Sequence, residues 1–82
     1  MSQLTLYTRQ GCPLCVEMQQ AAEAMLQGTG RELQAVDIDA DTALKERYDW
    51  RVPVLAVVDA AGADIVCEGH FDPDALRDLL ED

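Results

Sequence analysis

The order of apolar and polar residues along the chain predicts that strands and helices alternate. Residues 4–8 alternate between apolar and β-favouring side chains, which is typical of a strand. Residues 13–27 predict a helix, because Pro13 suits a first helical position and apolar residues then recur every three or four positions. The inner face of that helix is expected to carry Leu14, Met18, Ala21 and Met25. Gly28 and Gly30 are expected to end the helix.

The rest of the chain predicts three more strands and two more helices. The strands are expected at residues 32–39, 53–58 and 65–67. The acids of residues 39–41 are suited to cap a short helix, and Asp72 followed by Pro73 is suited to open the last one. Turn residues at 59–62 separate the last two strands, which should therefore form an antiparallel hairpin. The order β-α-β-α-β-β-α predicts an α/β fold, with a four-stranded mixed sheet and helices on both faces.

Composition limits the class of the protein and its partners. With 82 residues, 49% of them hydrophobic and 27% charged, the chain is expected to form one globular domain over residues 1–82. Sixteen acidic residues against six basic ones give a net charge of -10, which disfavours nucleic acids and membrane surfaces as partners. The longest apolar run, residues 52–58, is far shorter than the roughly 20 residues of a membrane span. No signal peptide is visible, so we expect a cytoplasmic protein. We also expect it to be a monomer.

Three cysteines point to thiol chemistry. An odd number without a secretory leader is unlike the even sets of disulfide-stapled scaffolds. Cys12 and Cys15 form a C-x-x-C motif where the first strand passes into the first helix. Unpaired N–H groups and the positive dipole at the start of that helix would stabilise a thiolate at Cys12. This placement predicts a thiol–disulfide catalyst, with Cys12 as the nucleophile and Cys15 as the resolving thiol.

The chain resembles the glutaredoxins of the thioredoxin-fold superfamily, and most of all the small bacterial members with a C-P-L-C centre. The resemblance is carried by C-P-L-C at residues 12–15, V-D-I-D at 36–39, R-V-P-V at 51–54 and the terminal helix. It departs from the family at Leu14, usually an aromatic residue, and at His70, usually a second glycine. It implies a thioredoxin-like fold and a Cys12/Cys15 dithiol that reduces protein disulfides or mixed disulfides with glutathione. Glutathione is then a candidate co-substrate, and no resident cofactor is expected.

The resemblance also implies a set of substrate-binding residues. Pro53 would be a cis proline packed against the cysteines, and Val52 would offer its backbone to an extended thiol substrate. Arg9 matches a position where glutaredoxins often carry a lysine that meets the glutathione carboxylate. Gly69 and Asp72 match the family's G-G-x-D segment.

Basic residues cluster in the segments that the predicted fold brings to the cysteines. Arg9 lies three residues before Cys12, and Arg51 lies in the R-V-P-V segment. Lys45 and Arg47 fall on the short helix that follows the second strand. A local cationic patch would stabilise the Cys12 thiolate and attract an anionic thiol substrate, so Arg51 is also predicted to bind substrate.

Two other functions remain open on the sequence alone. Cys12 and Cys15 could hold zinc or an iron–sulfur cluster, with Cys67 and His70 completing a Cys₃His set. The C-x-x-C could instead be the passive remnant of a thioredoxin-fold adaptor that binds partners without turnover. Metal analysis and a redox titration would separate these functions from catalysis.

Three further side chains have ordinary structural explanations. Cys67 is expected to be a small core residue, since it lies in an apolar strand segment. His70 is expected in a loop near the site. Trp50, the single tryptophan, is expected to pack beneath the loop before Pro53, close to the dithiol, and stacking of Trp50 and Tyr48 on a substrate is the alternative.

Overall fold

The computed structural model describes residues 2–81 and contains the seven predicted elements in the predicted order. The strands are β1 (Gln3–Thr8), β2 (Leu33–Asp37), β3 (Val54–Asp59) and β4 (Gly62–Glu68). The helices are α1 (Pro13–Leu26), α2 (Thr42–Tyr48) and α3 (Pro73–Glu81), with a 3₁₀ turn at Ile38–Ala40 ahead of α2. β4 is longer than predicted, and β2 is shorter. Over the described residues, no helix is long and apolar enough to cross a membrane.

The predicted mixed sheet has its strands in the order β2-β1-β3-β4. β1 is parallel to β2 and antiparallel to β3, and β3 and β4 form the predicted hairpin. Tyr7 lies opposite Val54, Val54 lies opposite Glu68, and Thr8 lies beside Asp37. The carboxyl ends of β1, β2 and β4 therefore meet the amino end of β3. This end of the sheet, which we call the dithiol end, carries the C-x-x-C loop.

Helices cover both faces of the sheet, as predicted. α1 and α3 lie on one face, where Leu6, Met18 and Leu76 are at most 1% exposed. α2 lies on the other face, where Tyr48 and Val54 are buried. Because removal of this apolar surface from water stabilises both layers, the strand ends and the loops between them are held in a fixed relation.

The inner face of α1 differs from the predicted one. The buried residues are Cys15, Met18, Ala22 and Leu26, whereas Leu14 is 46% exposed. Cysteine packs as a small hydrophobic side chain, so the apolar spacing fits a face that begins at Cys15 as well as one that begins at Leu14. The prediction for Met18 is confirmed, and the prediction for Leu14 is wrong.

The second strand ends before its predicted boundary. β2 stops at Asp37, and residues 38–40 form the 3₁₀ turn. The Asp37 carboxylate accepts the backbone N–H of Asp39 at 2.9 Å, which caps the turn and directs the chain out of the sheet. Ile38 is therefore completely buried in the cluster that contains Tyr48.

Candidate active site

Cys12 and Cys15 form a disulfide at the N-terminus of α1. Their Cα atoms are 5.2 Å apart, because residues three positions apart in a helical turn lie on the same side. Cys12 is the N-cap residue, and its Sγ accepts the backbone N–H of Cys15 at 3.1 Å. Its carbonyl oxygen accepts the N–H groups of Cys15 and Val16, at 3.1 and 3.2 Å. The Cys12 sulfur thus lies where a helix N-terminus stabilises negative charge.

The two cysteines differ in their access to solvent. Cys12 is half-buried, whereas Cys15 is 1% exposed and belongs to the buried stripe of α1. A disulfide in solution can therefore approach Cys12 but not Cys15. This difference in exposure means that the two sulfur atoms differ in their access to a disulfide in solution.

Pro53 directly precedes β3, at the dithiol end. The Val52–Pro53 peptide bond is cis, as the resemblance implied, whereas contact of Pro53 with the cysteines stays a prediction. Pro53 is buried, and its carbonyl oxygen accepts the N–H of Gly69 at 2.9 Å. Val52 is half-buried, and its N–H donates to the carbonyl oxygen of Tyr48 at 3.1 Å. Pairing of the Val52 backbone with a substrate stays a prediction, and it would use the carbonyl oxygen.

Arg9 is held by two carboxylates from distant parts of the chain. Its guanidinium donates to the Asp39 carboxylate at 2.7 and 3.3 Å. It also donates to the carboxylate of Asp49 at 2.8 Å and to the carbonyl oxygen of that residue at 3.2 Å. These hydrogen bonds raise the pKa of Arg9 and hold the pKa of Asp39 below its usual range. Arg9 therefore ties the loop before Cys12 to the segments that follow β2 and α2.

Arg51 is also paired with a carboxylate. Its guanidinium makes two contacts with Glu68, at 2.9 and 3.0 Å, and lies 5.1 Å from the centroid of the Tyr48 ring. The hydrogen bonds lower the pKa of Glu68 and raise that of Arg51. The sequence predicted a cationic patch here, but the positive charges of Arg9 and Arg51 are neutralised by neighbouring acids. Substrate binding by either arginine stays a prediction.

Gly69 and Asp72 lie between β4 and α3. Gly69 has a φ of +79°, in the left-handed region that glycine adopts readily, and its N–H reaches Pro53. Asp72 is exposed, and its carboxylate accepts the N–H of Ala75 at 3.1 Å, which caps α3 as predicted. His70 is exposed. The segment lies at the dithiol end, and its contact with a substrate stays a prediction.

A family comparison agrees with this geometry. Residues 3–81 match the glutaredoxin-like domain (DUF836). The chain belongs to this family. Protein Ne2328 from Nitrosomonas europaea, solved by NMR in solution, is 31% identical with a TM-score of 0.79, over 95% of this chain and 89% of that one. Protein XcR50 from X. campestris, an X-ray structure, is 40% identical with a TM-score of 0.64, over 95% of each chain. No curated protein has a significant match to this chain.

A more distant structure shares the fold of this glutaredoxin-like domain. The oxidised thioredoxin from Plasmodium falciparum is 17% identical, with a TM-score of 0.67 over 98% of this chain and 78% of that one. At this identity the likeness concerns the fold alone. The predicted family and the thioredoxin-like fold are therefore confirmed, and the Cys12–Cys15 pair in this setting supports a redox-type role.

Sequence reasoning did not identify Asp39, Asp49 and Glu68 as part of the site of this glutaredoxin-like domain. Asp39 and Asp49 lie 30 and 40 positions from Arg9, and Glu68 lies 17 positions from Arg51. The usable signal was the strand order, since residues that follow the carboxyl ends of neighbouring strands meet at one end of a sheet. Asp39 follows β2 closely, and Glu68 ends β4.

The alternative metal site of Cys12, Cys15, Cys67 and His70 is not assembled. Within residues 2–81, no group of three or more Cys, His, Asp or Glu side chains is placed to hold a metal ion. Cys67 is half-buried against the core cluster beneath α1 and α3. Burial raises the pKa of the Cys67 thiol, and the opposing effect of a hydrogen bond with the Asp72 backbone is smaller. The sequence predicted a small core residue, and Cys67 packs against the core as expected but is only half-buried.

Trp50 is not packed beneath the loop before Pro53. Its side chain is 95% exposed. Tyr48, at the end of α2, takes the buried aromatic position: it is 2% exposed and stacks on Tyr7, with ring centroids 4.4 Å apart. Because Tyr48 fills this space, the expectation that the tryptophan lies against the dithiol is wrong.

Proposed function

We propose that this protein is a thiol–disulfide oxidoreductase, with Cys12 as the nucleophile and Cys15 as the resolving thiol. One contrast carries the proposal. Cys12 is accessible and its Sγ receives a backbone N–H at 3.1 Å, whereas Cys15 is 1% exposed. Membership in the glutaredoxin-like family supports the same chemistry. The substrate is a disulfide of a protein or a mixed disulfide with glutathione.

The reaction transfers two electrons to the substrate. The Cys12 thiolate attacks one substrate sulfur, forms a mixed disulfide and expels the other sulfur as a thiolate, which takes a proton from water. Cys15 then loses its proton and attacks Cys12 Sγ. The Cys12–Cys15 disulfide forms while the second substrate sulfur leaves as a thiolate and is protonated. Two molecules of glutathione, or one protein dithiol, supply the two electrons and two protons that return the disulfide to the dithiol, and are themselves oxidised to a disulfide.

In this proposal the loops of the dithiol end form a groove for the substrate. Val52 pairs through its carbonyl oxygen with the extended chain beside the substrate cysteine, and Pro53 forms the wall next to it. Gly69 lies next to Pro53, to which its N–H donates at 2.9 Å, and with Asp72 it extends the same side of the groove. The protein acts as a monomer in the cytoplasm, where thiol pools supply the reductant.

Cysteine variants test the proposal. Cys12→Ser should abolish the reduction of hydroxyethyl disulfide, a small neutral substrate. Cys15→Ser should accumulate a stable mixed disulfide on Cys12, detected by mass spectrometry. Cys67→Ser is the matched control and should keep the native rate, because burial keeps that thiol protonated.

Three results would contradict the proposal. The first is a Cys12→Ser variant that retains its rate, and the second is a native protein that reduces no disulfide. The third is stoichiometric zinc or iron in protein purified without chelator, lost in both Cys12→Ser and Cys15→Ser. The third result would favour the metal-binding alternative.

A further inference from the structure

We propose that Asp39, Asp49 and Glu68 set the substrate preference of the dithiol. These carboxylates form ion pairs with Arg9 and Arg51. The two arginines are therefore less available to bind an anionic thiol such as glutathione. The favoured substrate is then a disulfide on a protein segment whose neighbouring residues are basic or uncharged. This inference rests on the proposed function and names the substrate class of the same site.

Each arginine is held at more than one nitrogen. Asp39 accepts from two nitrogens of Arg9, at 2.7 and 3.3 Å, and Asp49 accepts from the third, at 2.8 Å. Glu68 accepts from two nitrogens of Arg51, at 2.9 and 3.0 Å. A guanidinium recognises a carboxylate through a planar fork of N–H donors. At Arg9 all three nitrogens are engaged, so a substrate carboxylate can bind this guanidinium only if an existing ion pair breaks. At Arg51 the Nε–Nη2 fork is held by Glu68, which also cancels its charge.

The loops at the dithiol end carry more acid than base. These loops are residues 9–12, 37–41, 49–53 and 68–72, and they contain six acidic residues and two arginines. The cluster of Arg9 with its two carboxylates is net negative, and the pair of Arg51 and Glu68 is neutral. Lys45 and Arg47 on α2 add two positive charges, which leave this end acidic. At about 0.1 M salt these charges act over roughly 10 Å, so they repel an approaching anion and attract a cation.

Exposed apolar side chains beside the dithiol suit a longer peptide chain. Leu14 is 46% exposed and Val16 is 53% exposed, in the first turns of α1. Trp50 is 95% exposed and follows Asp49, which is bound to the loop before Cys12. Aromatic faces attract the cations of lysine and arginine, and burial of leucine and valine stabilises docking. A basic protein segment gains from both effects as its disulfide meets Cys12, whereas glutathione is too short to cover these side chains.

Matched disulfides measure the preference. Three peptides of equal length carry one cysteine, in a mixed disulfide with mercaptoethanol, between flanking lysine, glutamine or glutamate residues. Oxidised glutathione is the fourth probe. Each rate with the reduced protein is divided by the rate with dithiothreitol, which cancels differences in intrinsic reactivity. The native protein should favour the lysine peptide, then the glutamine peptide, then the glutamate peptide and glutathione, with differences that shrink toward about 0.5 M salt.

Release of the arginines should shift the preference toward anions. The double variant Asp39→Asn/Asp49→Asn and the single variant Glu68→Gln should each raise the rate with oxidised glutathione, relative to the lysine peptide. The expected shift is about fivefold, which is the effect of one unit charge at contact distance in water. Addition of Arg9→Gln to the double variant should reduce its gain markedly, because the freed guanidinium supplies part of the gain and the loss of two acidic charges supplies the rest.

Controls separate this effect from net charge and from misfolding. Asp64→Asn/Asp78→Asn removes two acidic charges from the groove between β4 and α3, and it should leave the order of the probes unchanged. Trp50→Ala should slow the lysine peptide but not hydroxyethyl disulfide. An equal shift in the control, a gain that Arg9→Gln does not reduce, or a native preference for glutathione would overturn the inference. Failure of the native protein to reduce hydroxyethyl disulfide would overturn the proposed function instead.

Discussion

The Arg9 guanidinium donates to the Asp49 carboxylate at 2.8 Å and so joins two loops from distant parts of the chain. One loop leads to Cys12, and the other leads to Val52 and Pro53. A groove formed by two loops keeps its width only if their separation is fixed. The Arg9 and Asp49 side chains are 27% and 35% exposed, so this ion pair is partly shielded from water. The pair therefore belongs to the geometry of the site as well as to the fold.

Acid should weaken the fold through Asp39 and Glu68. Their arginine partners lower the pKa of both carboxyls, so the stabilisation is complete above the unfolded values of about 4 and is lost as pH falls through the folded values. Thermal unfolding by circular dichroism, from about pH 7 to about pH 2.5, should show a fall in the native melting temperature. The fall should be smaller in Asp39→Asn and in Glu68→Gln. Equal falls in all three proteins would show that other carboxylates determine the acid response.

The thiol of Cys67 should react slowly at neutral pH. Burial raises its pKa, so the reactive thiolate forms only at higher pH. In a Cys12→Ser/Cys15→Ser variant, labelling by iodoacetamide should have its pH midpoint above that of the same variant unfolded in urea. The unfolded sample is the matched control, because it removes burial without a change in sequence. Coincident midpoints would contradict the effect of burial.

Leu76 should be the main anchor of α3. It is 0% exposed and packs in the cluster that contains Leu6 and Met18. Leu76→Ala should lower the free energy of unfolding by about 3 kcal/mol, because it loses apolar contacts and leaves a cavity. Asp78→Ala, exposed on the same helix, should change it by less than about 0.5 kcal/mol. Denaturant titration measures both, and similar values for the two variants would mean that α3 is packed in another way.

Trp50 should fluoresce as an indole in water. Its side chain is 95% exposed, so acrylamide should quench the folded protein nearly as efficiently as the protein unfolded in urea. The oxidised and reduced proteins should share one emission maximum, since the indole contacts solvent and not the dithiol. Trp50 is the single tryptophan, so the signal has one source. A blue-shifted emission, or strong protection from acrylamide, would show that the side chain is packed.

The strands, helices and motif could be predicted because their signals are local. The Asp41 carboxylate accepts the N–H groups of Ala43 and Leu44, at 2.9 and 3.2 Å, so the helix cap is formed within four residues. The placement of Cys12 at a helix N-terminus likewise follows from Pro13 behind it. Such signals need no knowledge of how the elements pack, and the order of elements followed from them.

The partners across the site could not be predicted in this way. The charge of Arg9 is visible in the sequence, but its contact with Asp39 depends on strand order and on the course of two loops. The inner face of α1 depends on how the helix rotates against the sheet. One residue is a rotation of about 100°, and that single step decides whether Leu14 or Cys15 is buried. These features are properties of packing, and local sequence carries little information about them.

Cys15 shares its buried stripe with Met18 and Ala22, so the disulfide lies in the wall of the hydrophobic core. A thermodynamic cycle links disulfide formation to folding. The difference in folding free energy between the oxidised and reduced forms equals the difference in the free energy of disulfide formation between the folded and unfolded chains. A substitution that loosens the packing around Cys15 unequally in the two states must change how readily the dithiol is oxidised, although it touches neither sulfur atom. How readily the Cys12–Cys15 dithiol is oxidised thus depends partly on how the hydrophobic core around Cys15 is packed.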